Sequence, residues 1–164
     1  MTIYGAASSS RSKSKKMTYS YEFPRPSVTV DTVVLDLKDR DQIPRVLLVK
    51  RKNEPFKGMW AIPGGFLDIN EDLADGAARE LLEETYIGVL PTSLRQFHVS
   101  GELGRDPRGR VISVVFAVSI NRHEHIIKAG DDAQDVNWFR ITELPQLAAD
   151  HRSIISRALN IRGL

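Results

Sequence analysis

GFLDINEDLADGAARELLEETYI, residues 65–87, reads as a glycine turn followed by one helix. Asn70 is a good N-cap, and Glu71, Asp72 and Asp75 suit the positive end of the helix dipole. Leu73, Ala77 and Leu81 recur every four residues and supply a stripe for burial, widened by Ala74, Ala78 and Leu82. A different face is loaded with acid. Glu80, Glu83 and Glu84 crowd the second half of the helix. Positions three and four apart share a side, so the three span an arc of roughly 100°. A solvated helix tolerates such crowding at small cost. A divalent cation turns the same crowding into a binding site, because hard cations prefer carboxylate oxygens. From the triplet alone, the solvated face is the simpler reading.

Upstream, Pro24 and Pro26 mark the entry to a domain. Val28–Leu37 (VTVDTVVLDL) is β-branched and apolar and predicts a strand. Arg45–Arg51 (RVLLVKR) predicts a second, paired with the first as a hairpin across a turn at Asp39-Arg40-Asp41-Gln42. Asn53–Pro63 reads as a loop, broken by Pro55, Gly58 and Pro63 and holding Phe56 and Trp60. Downstream, Gln96–Ser100 predicts a strand and Gly104–Arg110 a polar loop. Val111–Ile120 (VISVVFAVSI) is nearly all apolar, as a strand buried on both faces would be. Asp135–Arg140 predicts a last strand. Asp150 caps a terminal helix whose Ile154, Ile155, Ala158 and Leu159 face inward. Strands, helix, strands and helix in this order point to a mixed sheet flanked by helices.

The 164 residues suffice for one domain with a proper core. No cysteine is present, which excludes disulfides and thiolate metal sites and suits a reducing cytosol. No apolar run approaches the length of a membrane span, and the N-terminus lacks the apolar segment of a secretory signal. The net charge of +2 is uneven. Arg11, Lys13, Lys15, Lys16 and Arg25 against Glu22 give residues 1–25 a net of +4 and leave −2 for the rest. Residues 1–23 therefore read as a basic, flexible arm and residues 24–164 as the domain. A basic body that binds nucleic acid is not indicated.

Gly65, five residues, Glu71, seven residues and then Arg79-Glu80-Leu81-Leu82-Glu83-Glu84 resemble the box of the Nudix hydrolase family. Where that box has glycine and then an aliphatic residue, this chain has Tyr86 and Ile87. Tyr86 is poor at positive φ, and Gly88 offers a cap two residues later. The likeness extends to Pro24–Asp31, to RKNEPFKGMWAIPGG at 51–65, to Asp106–Arg110 and to Gly130–Ala133. These stretches resemble the branch that holds ADP-ribose pyrophosphatases and NAD-metabolism regulators.

The resemblance implies an α/β fold, the Nudix-type α/β/α sandwich with a mixed β-sheet between helices. It implies a cytoplasmic pyrophosphohydrolase that cleaves a nucleoside diphosphate linked to another moiety, with Mg²⁺ or Mn²⁺ as cofactor. ADP-ribose, giving AMP and ribose 5-phosphate, is the leading substrate. Glu80, Glu83 and Glu84 are the expected metal ligands, with the Gly64 carbonyl beside them. One of the carboxylates instead orients or deprotonates the water. Arg79 holds the carboxylates, paired with Glu71, and Gly65 and Glu71 are structural members of the box. Arg25, Arg51 and Lys57 are candidate phosphate partners, each of which is also an ordinary surface cation. Phe56 or Trp60 is a candidate to stack on a base or to sit in the core. Arg108 and Asp132 lie in loops on the expected substrate side, and Asp131 and Asp132 equally suit a turn. His123-Glu124-His125 suits a solvated loop better than a metal site, and neither His98 nor His151 has a partner legible in the sequence.

Two rivals stand beside the leading reading. One is a housecleaning enzyme of the same fold acting on an oxidised or sugar-linked nucleotide. The other is a module that senses ADP-ribose without cleaving it. Sensors of that kind carry a DNA-binding domain after the Nudix region; an ending at Leu164 and an intact acidic triplet favour the enzyme. The expected partner is a small nucleotide, with neither nucleic acid nor membrane. Homodimerisation is common in the branch, and no residue here decides it.

Overall fold

Period-two burial in the long strands sets the layers. In β1 (Ser27–Asp36), Val30 and Val34 join one core while Val33 and Leu35 join another. In β2 (Arg45–Arg51), Leu47 and Val49 take the first side and Val46 and Leu48 the second. Alternate side chains of a strand point to opposite faces, so both faces of this sheet are covered. The first core meets α1 (Leu73–Thr85) through Ala77 and Leu81. The second meets α2 (His151–Ala158) through Ile154, Ile155 and Ala158. This is the expected α/β/α sandwich. The computed structural model describes residues 20–38, 42–130 and 132–164. The expected basic arm up to residue 19, Asp131, and all of the first turn but Gln42 lie outside the described residues.

The sheet is mixed. β6 (Val111–Ser119) runs parallel to β1 over its whole length and carries β5 (Arg95–Ser100) antiparallel on its far edge. On its other edge β1 forks. It pairs with β2 only at Leu35↔Val46 and Asp36↔Arg45. Towards its start, β4 (Gly64–Phe66) takes that edge instead, with Thr29, Val30 and Asp31 opposite Phe66, Gly65 and Gly64. The diverging β2 meets β3 (Trp60–Ala61) at Val49↔Ala61 and Lys50↔Trp60. β7 (Ala133–Arg140) covers the opposite edge of β2. Asn53–Pro63, expected as loop, thus contains β3 and leads into β4. Both are too short for a periodic signal, and each exists because the fork offers it unpaired backbone.

Three local expectations change. Asp72, not Asn70, is the N-cap of α1, and its side chain makes no capping bond. Leu82 does not widen the buried stripe; it is half exposed. The helix does not run on to Gly88. It ends at Thr85, and Tyr86 itself adopts the left-handed cap, φ 64° and ψ 11°, donating its N–H to Leu82 O at 2.9 Å. Two more helix-end carbonyls are satisfied from a later loop, Thr85 O by Lys128 N–H and Glu84 O by Gly130 N–H. Gly130 is required there, since a Cβ would lie 1.8 Å from Glu83 O. No helix among the described residues is long and apolar enough to cross a membrane.

Candidate active site

The fork brings the turn before α1 against β1, and the acids of α1 onto that turn. Gly64 and Gly65 are glycines for reasons of space. A Cβ on Gly64, whose φ is +159°, would lie 2.4 Å from Val30 O and 2.7 Å from Asp31 Cα, both backbone. A Cβ on Gly65 would lie 2.6 Å from Glu80 Cδ. The carboxylates therefore approach the chain where no side chain intervenes. Glu84 Oε2 accepts from the Gly64 N–H at 3.0 Å.

Arg79 organises the remaining acids. Its Nε and Nη2 grip Glu71 at 2.9 and 2.5 Å, a two-point contact that fits the planar guanidinium. Nη1 donates to Glu80 at 2.7 Å and to Glu83 at 3.3 Å, and Nη2 also reaches the Phe66 carbonyl. Glu71 is tied back by the Asp68 N–H at 2.8 Å. The Arg79 contact holds Glu71 below the usual carboxylate range. Glu80 is pushed up by burial in spite of Arg79.

These acids open on a cavity of about 420 Å³. Its walls hold Gly64, Gly65, Arg79, Glu80, Glu83 and Glu84, and, among the other expected residues, Arg51, Arg108 and Asp132. Three expected substrate contacts do not line it. Trp60 packs edge-on against Phe139, ring centres 4.6 Å apart, because its strand pairing turns it into the second core. Arg25 stacks over the Tyr21 ring at 3.8 Å. Lys57 lies exposed in a turn, its N–H directed to Glu54. Of the two aromatic candidates, Phe56 is the one on the cavity wall.

The cavity also holds Asp31, Arg105 and His151, which lie outside the expected set. Asp31 is buried, and its carboxylate accepts from the Ser113 hydroxyl. Burial pushes it up to about 6 against that bond and the charges of Arg105 and Arg51. Arg105 makes a two-point pair with Asp150, at 3.1 and 2.7 Å. Arg108 does the same with Asp106 and lies over the Phe66 ring at 4.8 Å. His151, at the start of α2, accepts at Nδ1 from the Ile62 N–H at 3.0 Å. The one sequence signal at Asp31 is a lone acid within VTVDTVV.

Burial pushes Glu84 up to about 8, against its Gly64 hydrogen bond, with Glu80 and Asp31 adding to the rise. Closely set, poorly compensated carboxylates are the donor chemistry of a hard divalent cation. Among the described residues no three of them already converge as a preformed chelate. Glu80 and Glu83 are bonded to Arg79, and Glu84 to the Gly64 N–H. The donor set fits the chemistry of the ion.

The NUDIX domain family model matches residues 25–158. The ADP-ribose pyrophosphatase of Methanocaldococcus jannaschii is 42% identical over 130 residues, which covers 79% of this chain and 71% of that protein. The ADPR responsive transcriptional repressor NtrR of Acinetobacter baylyi is 34% identical over 139 residues, or 82% of this chain; the match spans about half, 54%, of the repressor. The NUDIX domain of Shewanella oneidensis NrtR, solved with ADP ribose, aligns at a TM-score of 0.73 and 33% identity, covering 84% of this chain and 88% of that one. The matched residues 25–158 take in all seven strands described and both helices, and by that match the chain belongs to the Nudix family.

Proposed function

We propose that this chain hydrolyses the pyrophosphate bond of ADP-ribose, giving AMP and ribose 5-phosphate, in the cytoplasm and with Mg²⁺ or Mn²⁺. The observation that carries the reading is the acidic set Glu80, Glu83 and Glu84 gathered by Arg79 and Gly64 at the mouth of the fork. The reaction puts negative charge on substrate, nucleophile and leaving group together. The Mg²⁺ would be held by Glu80, Glu83, Glu84 and the Gly64 carbonyl, and it supplies charge neutralisation and a water of lowered pKa. Water oxygen bonds to one phosphorus, the bridging P–O bond breaks, and the water's proton leaves through a carboxylate or solvent. Arg79 orients Glu80 and Glu83 for these tasks while Glu71 fixes Arg79. Arg51 donates Nε to the Pro55 carbonyl at 2.8 Å, which leaves its terminal nitrogens to face a phosphate. The similarity to the ADP-ribose pyrophosphatase of Methanocaldococcus jannaschii supports the choice of substrate.

The likeness to a repressor that responds to ADP-ribose favours a second reading, binding without cleavage. A product assay decides. The protein is incubated with Mg²⁺ and ADP-ribose, NAD, NADH or nucleoside triphosphates, and AMP and phosphate release are measured. Release of AMP from ADP-ribose is expected. Binding of ADP-ribose without release supports the sensor, and turnover of triphosphates alone supports the housecleaning enzyme.

A further inference from the structure

His151 is buried on the cavity wall, on the α2 side of the sheet, and takes no part in the acidic set. Its Nδ1 is occupied as an acceptor from the Ile62 N–H. A neutral imidazole that accepts at one nitrogen carries its proton on the other, so Nε2 is the donor. Burial keeps the ring neutral, pushing it down to about 4; Asp150 opposes this, and Arg105 and Arg51 reinforce it. Among the described residues the buried side-chain atoms left without a partner are Thr32 Oγ1 and Asp36 Oδ2. His151 Nε2 is not one of them, and it has no protein partner, so it is open to the cavity. Arg105 nearby is paired with Asp150, and Arg51 brings a further cation to this part of the wall, which suits an anionic oxygen.

We infer that His151 is a substrate-binding residue whose Nε2–H, fixed in that tautomer by the Ile62 N–H, donates to a phosphoryl oxygen of the bound nucleotide beside Arg51. The inference rests on the cavity being a nucleotide site, and it names a contact contributed by the second helix layer.

Two variants separate this role from a merely structural one. In His151→Asn the amide oxygen can occupy the Nδ1 position and keep the Ile62 bond, while the Nε2 donor is lost. In His151→Gln the amide nitrogen can reach the Nε2 position, while the Ile62 acceptor is lost. Thermal melting and calorimetric binding of ADP-ribose, AMP and adenosine are measured in EDTA. His151→Asn is expected to melt near the wild type yet bind ADP-ribose and AMP about ten- to a hundredfold more weakly, the value of one hydrogen bond to a charged acceptor. His151→Gln is expected to melt lower and bind better than His151→Asn. Wild-type affinity in His151→Asn overturns the inference, and a loss shared by adenosine overturns the phosphoryl assignment. If His151→Asn fails to fold, His151→Gln carries the test: near-wild-type affinity supports the donor, and a large loss in a folded protein overturns it. If the wild type does not bind ADP-ribose, that substrate choice alone fails. The same ranking is then required on whichever nucleotide the wild type hydrolyses.

Discussion

Gly65→Ala is the sharpest test of the site, because it moves one carboxylate and leaves the backbone alone. The added Cβ would stand 2.6 Å from Glu80 Cδ and 2.6 and 2.7 Å from its two oxygens, against 3.4–4 Å for ordinary contact. Glu80 must therefore retreat by about 1 Å. No main-chain atom is among the three nearest, so the fold loses little. The cost is the Arg79–Glu80 bond at 2.7 Å plus slight overpacking, together about 1–2 kcal/mol. Catalysis is less forgiving. A reacting group displaced by about 1 Å can lower the rate on the order of 10²-fold. Gly65→Ala is thus expected to fold, to melt a few degrees lower, and to lose about two orders of magnitude in kcat/KM for AMP release. Gly101→Ala is the control, since a Cβ there meets nothing within 4 Å. A folded Gly65→Ala protein with kcat/KM near that of the control would refute the placement of Glu80 in the reaction centre.

Glu83 is half exposed and makes only a 3.3 Å contact with Arg79, so Glu83→Gln should melt like the wild type and lose most turnover; unchanged turnover removes it from the metal site. Tyr86→Gly should stabilise the protein. Relief of a left-handed non-glycine residue, worth about 1–2 kcal/mol, exceeds the exposed Lys128–Tyr86 contact it deletes, so melting should rise by about 2 °C, and a fall would refute strain at the cap. Glu84 and Asp31 are raised on folding, so each adds stability at low pH that is lost as pH climbs through its folded value; the depressed His151 does the reverse, losing stability as pH falls from 6.5 towards about 4. Between pH 6.5 and 8.5 only Glu84 of these three still titrates appreciably. The metal-free protein should then lose on the order of 1–2 kcal/mol across that window, and Glu84→Gln should lose none of it; equal pH dependence of the two in thermal melts overturns the shift.

The long elements were legible because period and composition speak locally. β1, β2, β5, β6, β7 and both helices fall within a few residues of expectation. The box spacing is likewise local, and the structure puts Arg79 in contact with Glu71, Glu80 and Glu83, and Glu84 on the Gly64 N–H. What was hidden depends on distant partners. β3 and β4 have two and three residues and sit among prolines and glycines, and they become strands only because β1 and β2 separate. His151 finds its partner at Ile62, 89 positions away. Asp150 read as a helix cap, yet its carboxylate makes no capping bond and instead holds Arg105. Trp60 read equally well as base platform or core, and strand register decided it.

The fork also explains how two layers that the sheet keeps apart can serve one cavity. Side chains of β1 alternate, so the face that packs on α1 and the face that packs on α2 share no atoms along an intact sheet. Where β2 leaves β1, that partition ends. Gly64 sits there, its N–H on Glu84 of α1 and its body against Asp31, which lies in register with the side chains that face α2. Ile62, two residues earlier, turns its N–H to His151 of α2. One short segment, Ala61 to Gly65, thus fastens the acidic wall of one layer to the wall that carries His151 from the other. A ligand that must meet the acids of α1 and the His151 side together needs both walls at once. A continuous sheet would give it only one.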